Sequence, residues 1–261
     1  MNSQTEIVTL NPENSSEYGC PCFLNPKNEG HLIKLEWLKE RFSEGLSIRL
    51  LFIEGEKKPI GFIEDVPGEY AWRAVSANGY LFIHCIWINP NKYKEKGNGS
   101  LLVEESIEVA KKYRRYGVAV VSSDGSFMAN KELFLKNCFD IVEKARNYEL
   151  LVKKLKEGPL PSFKDWQQQL NNYQGLNIIY SNQCPWVARS IKELAEIARN
   201  NNLELTVTEM KTAQQAQNAP SIYSVFNLVY DGKLITDHYV SNTRFLNILK
   251  KELKLIGKVC R

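Results

Sequence analysis

The sequence predicts an α/β protein built as two successive units, and three observations carry that prediction. Residues 80–101 read as an almost unbroken apolar strand, a basic loop with two glycines, and the start of an amphipathic helix. Strand and helix patterns then resume after a polar break at residues 153–175. The chain has 261 residues, more than one average domain, so each half is long enough to bury a core of its own. The expected division is 1–152 for the first unit, 153–175 for a linker and 176–261 for the second.

In the first unit, residues 7–10 form a short β-rich run, followed by a loop holding Cys20-Pro21-Cys22. Leu32, Leu35, Trp37, Leu38 and Phe42 recur at helical spacing and predict an amphipathic helix over 30–42. Two alternating runs, 47–52 and 59–66, flank Glu54-Gly55-Glu56-Lys57 as a hairpin. The long apolar strand follows, then a helix over 100–116 that stripes Leu102, Ser106, Val109 and Tyr113, with Gly117 read as its C-cap. Residues 118–121 begin another strand. A short helix over 130–136 and strands at 141–142 and 149–152 close the unit.

The break at 153–175 contains Gly158-Pro159-Leu160-Pro161 and a Gln/Asn run, with Phe163 and Trp166 as anchors that drape it on a domain. Beyond it the order is strand 177–181, helix 185–200, strand 203–209, helix 211–217, a hairpin over 223–239 turning at Asp231-Gly232, and helix 242–256. That order is βαβαββα.

The loop Lys94-Glu95-Lys96-Gly97-Asn98-Gly99 lies between a strand and a helix N-terminus, an arrangement that offers backbone N–H groups and a positive dipole end to a phosphate. It lacks the third glycine of a dinucleotide fingerprint and the Gly-Lys-Ser/Thr of a P-loop. A net charge of +4 spread along the chain is too small to argue for nucleic acid. No apolar span of about 18 residues and no basic-then-apolar leader is visible, so a cytoplasmic protein without membrane contact is expected. Six cysteines (Cys20, Cys22, Cys85, Cys138, Cys184, Cys260) form no CxxC pair and no disulfide framework, as suits a reducing compartment; no metal site is expected. Cys85 and Cys138 read as packed core thiols.

Lys94-x-x-Gly97-x-Gly99, set between a strand and a helix, resembles the acetyl-CoA motif Gln/Arg-x-x-Gly-x-Gly/Ala of the Gcn5-related N-acetyltransferase (GNAT) superfamily, with Lys94 where Gln or Arg is usual. The resemblance spans roughly residues 5–152. With the second unit it extends to GNAT proteins that carry a C-terminal YoaP-like domain, which is thioredoxin-like. It implies acetyl-CoA as acyl donor and direct attack by the amine of a small molecule or peptide in a ternary complex. The backbone of Ile86, Trp87 and Ile88 would then pair with the pantetheine arm, and Lys94, Glu95, Lys96, Gly97, Asn98, Gly99, Ser100 and Leu101 would cradle the pyrophosphate.

His84, with Cys85 and the terminal Tyr80 the only titratable side chains of an apolar strand, is the candidate base. The family's acid is a tyrosine four residues before the glycine of a Gly-Phe pair. Here the pair is Cys138-Phe139 and the tyrosine position is Phe134, so the thiolate would be quenched by water, by another hydroxyl such as Ser126 or Tyr148, or not on the enzyme at all. Glu36, Glu64, Asp65 and Glu69 read as solvated charges, although an acidic rim along 59–66 would suit a cationic amine. In the second unit, Cys184-Pro185-Trp186-Val187 stands where glutaredoxins carry Cys-Pro-Tyr-Cys, and a thiol at a helix N-terminus is expected to have a lowered pKa. Two other readings stay open: a thiol-dependent redox or glutathione-binding protein using Cys184, and an acyl-CoA-binding protein without catalysis. The second unit would cover the acceptor cleft, bind the acceptor, or build a homodimer.

Overall fold

The computed structural model describes residues 4–19, 22, 25–125 and 127–257; Cys20, Ser126 and Cys260 lie outside them. The chain begins with β1 (Thr5–Leu10), a single turn α1 (Ser15–Tyr18), α2 (Glu29–Phe42), β2 (Ser47–Ile53), β3 (Gly61–Pro67), the two-residue β4 (Val75–Ser76) and β5 (Leu81–Ile88). It continues with α3 (Asn98–Lys112), β6 (Gly117–Ser123), α4 (Lys131–Lys136), β7 (Asp140–Ala145) and β8 (Tyr148–Lys154). The remainder is β9 (Ser162–Phe163), α5 (Trp166–Leu170), β10 (Leu176–Tyr180), α6 (Val187–Asn200), β11 (Leu205–Glu209), α7 (Ala213–Gln217), β12 (Phe226–Tyr230), β13 (Lys233–Thr236) and α8 (Asn242–Asn247).

Seven strands form one mixed sheet in the order β1-β2-β3-β5-β6-β8-β7, in which β5 and β6 are the parallel neighbours. Side chains alternate across it. Leu51, Ile63, Ile83 and Val120 face α3, where they meet Leu102, Val103 and Ile107. Ile48, Leu50, Phe62 and Phe82 face the other way, onto Trp37 and Leu38 of α2, in a core that runs on into Ile178, Leu194, Phe226 and Leu228 of the second half. The same alternation splits the adjacent carboxylates of β3. Glu64 faces the α2 side and pairs with Lys34, whereas Asp65 faces the α3 side and pairs with Arg49 and Ser106. Both are buried and neither is a solvated charge, because each strand face carries its own buried cation.

The second sheet has the order β11-β10-β12-β13, with β10 and β11 parallel and the other pairs antiparallel. Its elements follow the expected βαβαββα order. The break before it is draped as expected: β9 pairs with β4, and Trp166 is buried. Hydrogen bonds fasten the halves to each other, from Tyr148 Oη to Asp237 at 2.7 Å, Arg41 Nη1 to the Lys211 carbonyl at 3.0 Å and Gln217 Nε2 to the Glu69 carbonyl at 2.9 Å. No helix of the described residues is long and apolar enough to cross a membrane.

Two local expectations are corrected. Helix α3 ends at Lys112, and Arg114 at φ 51° supplies the left-handed residue expected of Gly117. Gly117 instead opens β6, where a Cβ would stand 2.0 Å from the Lys153 carbonyl oxygen of β8, so close strand approach and not a helix cap requires the glycine. Cys138 is exposed and not a core thiol. Its φ of 60° is the left-handed conformation that favours glycine, at the very position where the resembled family carries one.

Candidate active site

The phosphate-binding loop is built by backbone. Gly97 is the N-cap of α3 at φ 83°, and a Cβ there would meet nothing within 4 Å, so the glycine is required by conformation and leaves open space above the helix end. No side chain caps α3, and the first amide to close the helix is that of Leu101, onto the Gly97 carbonyl at 3.0 Å. Among the described residues the N–H groups of Asn98, Gly99 and Ser100 have no acceptor and are left for an external one, at the positive end of a 15-residue helix. The Asn98 side chain donates to the Tyr93 carbonyl at 2.9 Å and pins the loop; Lys94 and Lys96 stand exposed beside it.

Beside that helix end the sheet opens. Strand β5 pairs with β6 only through Leu81, Phe82 and Ile83, while its pairing with β3 continues to Ile88. Among the described residues no strand pairs with its second edge from His84 to Ile88. A bulge lies at the parting point: the register between β3 and β5 shifts between Glu64 and Asp65, so His84 is the extra residue. The bulge turns His84 and Cys85 toward the α2 side, where the second half of the chain docks.

A cavity of about 460 Å³ occupies this opening. The first half lines it with Lys94, Ile86, Trp87, His84, Glu64 and Arg73, and the second half with Gln183, Cys184, Trp186, Tyr223 and Tyr239. Its polar end is one network. Lys34 Nζ lies 2.6 Å from Glu64 Oε2, and Glu64 Oε1 receives Gln183 Nε2 at 3.0 Å and faces His84 Nδ1 at 3.2 Å. Gln183 Oε1 in turn accepts from Arg73 Nη1 at 2.6 Å. Burial alone would raise the Glu64 pKa, but the Lys34 ammonium and the bonds from His84 and Gln183 outweigh it and hold the carboxyl well below its usual range.

His84 lies on the cavity wall, but its chemistry is committed. Its Nε2 accepts the Trp72 backbone N–H at 2.8 Å, which assigns the ring proton to Nδ1, aimed at Glu64. With burial lowering its pKa to about 4, His84 is a neutral structural member with no free lone pair. That geometry argues against the expected base. Tyr148 likewise departs from its expected role: it is buried, is absent from the cavity lining, and donates its hydroxyl to Asp237. Phe134 is fully buried against Phe139 at a ring distance of 5.5 Å, so that position offers no hydroxyl to the cavity either. Cys184 does line the cavity, yet burial pushes its thiol up to about 11, outweighing the lowering from the Trp186 amide; the expected activation is reversed.

Sequence reasoning missed Lys34, Arg73, Gln183, Tyr223 and Tyr239. The one visible signal was Glu64-Asp65 inside the apolar run Phe62 to Val66, since a strand buried on both faces must partner its charges.

The YoaP-like family model matches residues 205–247, the span from the start of β11 to the end of α8. Over 249 residues the chain is 25% identical to a protein of Bacillus subtilis (strain 168) described as an uncharacterized N-acetyltransferase YoaP, covering 93% of this chain and 97% of the relative. Among solved structures it is similar to an acetyltransferase of the GNAT family from Staphylococcus aureus Mu50, with 15% identity, 59% of this chain and 100% of that chain covered, and a TM-score of 0.44. It is also similar to yncA from Salmonella typhimurium, solved with acetyl-CoA, with 15% identity, 60% and 98% coverage and a TM-score of 0.41. The chain thus resembles YoaP along nearly its whole length, in agreement with the resemblance read from its sequence.

Proposed function

We propose that this protein is an acyl-CoA-dependent N-acetyltransferase of the GNAT type that acetylates an amine of a small molecule or peptide in a ternary complex. The observation that carries the reading is the parting of β5 from β6 directly beside the uncapped N-terminus of α3. The residues fit the coenzyme: the first amides of α3 and Gly97 suit a pyrophosphate, and the stretch of β5 beyond Ile83, where its pairing with β6 ends, suits an amide-bearing arm. Bound there, acetyl-CoA supplies an electrophilic thioester carbonyl and a thiol leaving group.

The chain's own residues then orient the acceptor, exclude water and manage protons. Residues 1–152 are taken as the acyltransferase unit and 176–261 as a thioredoxin-like unit that closes over the acceptor end, through Gln183, Trp186, Tyr223 and Tyr239. Neither His84 nor the strongly acidic Glu64 suits the task of general base, so the acceptor amine reaches the cavity already deprotonated or yields its proton to water. Among the described residues the hydroxyls on the cavity wall are those of Tyr223 and Tyr239. Burial raises both and keeps them protonated at neutral pH, as a proton donor to a departing thiolate must be. The test is acetyl-CoA turnover with a panel of amino acids, polyamines, aminoglycosides and peptides. Acetylated product above the hydrolytic background supports the enzyme reading; tight coenzyme binding without product from any amine would instead favour a sensor.

A further inference from the structure

Arg73 is the feature that the acetyl-transfer reading does not absorb. It is 3% exposed, in the loop between Tyr70 and β4, and it lines the cavity. Its guanidinium donates Nη1 to the Trp72 carbonyl at 2.7 Å and to Gln183 Oε1 at 2.6 Å, and Nη2 to the His84 carbonyl at 3.0 Å. It lies 5.0 Å from the centre of the Tyr223 ring. All of these partners are neutral. Among the described residues no carboxylate stands within ion-pair distance of it, although an arginine this buried ordinarily has one. The nearby carboxylate is already committed: Glu64 is neutralised by Lys34, and Gln183 is interposed between Glu64 and Arg73, bonded to both.

The other titratable groups of the lining do not restore balance. His84 is neutral, the thiols of Cys85 and Cys184 are pushed up to about 12 and about 11, and Tyr223 and Tyr239 are raised as well. Among the described residues, Arg73 is therefore a buried, permanently charged cation at the acceptor end with no carboxylate partner, while Lys94 stands exposed at the other end of the cavity. Three of the five guanidinium N–H donors are used by the bonds given above, and the other two have no acceptor among the described residues.

We propose that the acceptor carries a carboxylate, which binds Arg73 while the amine faces the open edge of β5, and that its body is apolar. The substrate class is accordingly amino-acid-like, with a side chain resting against Trp186, Tyr239 and Phe127. This rests on the acetyl-transfer reading, and it replaces the cationic acceptor suggested by an acidic rim. A bound carboxylate completes the ion pair that the fold leaves open, and a charge-assisted bond in a desolvated cavity is a strong one.

The experiment is calorimetric binding of matched pairs, N-acetyl-L-phenylalanine against N-phenethylacetamide and N-acetyl-L-leucine against N-isopentylacetamide, to the full chain without coenzyme. The wild type is expected to prefer the carboxylate of each pair by about tenfold or more. Arg73→Gln is expected to lose that preference, and Arg73→Lys, which keeps the charge, to retain part of it. Thermal melting of both variants runs in parallel. Equal affinities within the pairs, no binding of either carboxylate, or an Arg73→Gln variant that melts lower yet keeps the preference would each overturn the proposal and leave Arg73 a staple between the halves. Because no coenzyme is present, such a failure is distinct from a failure of acetyl transfer, which the turnover panel reads.

Discussion

Replacing Lys34 with methionine removes the cation from a buried pair while keeping a flexible apolar stem against Trp37, over whose ring the ammonium lies 4.1 Å from the centroid. Lys34 and Glu64 are 1% and 2% exposed and 2.6 Å apart, so the variant leaves a carboxylate in the interior without its main countercharge. Breaking a buried pair from one side costs about 3–5 kcal/mol. Urea unfolding at about pH 8 should show a loss of that size, and the loss should shrink with acidification, for a definite reason.

In the wild type, Glu64 is held ionised and His84 is lowered to about 4, so the unfolded chain binds more protons than the native one below the ordinary histidine pKa of 6.5. Wild-type stability therefore falls as pH drops from 6.5 towards 4. Without Lys34 the desolvation of Glu64 is opposed only by His84 and Gln183, and the Glu64–His84 couple takes up a proton in the folded state. Its native pKa is raised, which adds stability as pH falls. The gap between variant and wild type should narrow by about 1–2 kcal/mol between pH 8 and pH 5.5. A loss below about 1 kcal/mol, equal at both pH values, would refute the buried network.

Two further expectations concern the cavity. If no lining group acts as base, kcat/KM should climb with pH as the acceptor ammonium loses its proton and show no limb near pH 6.5, the ordinary histidine value; a limb there that vanishes in His84→Gln would reinstate His84. Cys184, with its thiol near 11, should be alkylated by iodoacetamide at neutral pH far more slowly than free cysteine, and Cys184→Ser should retain acetyl transfer; rapid labelling would revive the thiol-dependent reading.

What the sequence made legible was local. The run 80–101 encodes strand, loop and helix within one stretch, and backbone alone builds the loop, so β5, the Gly97 turn and α3 followed from spacing. The parting of β5 from β6 was legible only through the family resemblance, since no residue pattern marks where two strands diverge. The acceptor end was hidden for a different reason. Lys34, Glu64, Arg73 and Gln183 come from four segments of the chain, and Gln183 meets Glu64 across 119 positions of sequence. Each reads alone as an ordinary polar residue. For His84 and Cys184 one physical factor was hidden from the sequence: burial, which lowers the histidine pKa and raises the thiol pKa relative to an exposed strand or helix end. The two-residue strands β4 and β9 are too short to carry any periodicity.

The central claim is that the end of α3 and the open edge of β5 bind acyl-CoA, and calorimetric titration with acetyl-CoA of the wild type beside Gly97→Glu tests it most directly. Glutamate at Gly97 puts a side chain and a negative charge where the fold leaves open space at φ 83°. Its melting curve reports separately on the strain. Micromolar binding by the wild type that disappears in a folded Gly97→Glu is the predicted result. A wild type that binds no acetyl-CoA, or a variant that binds it equally well, would contradict the account.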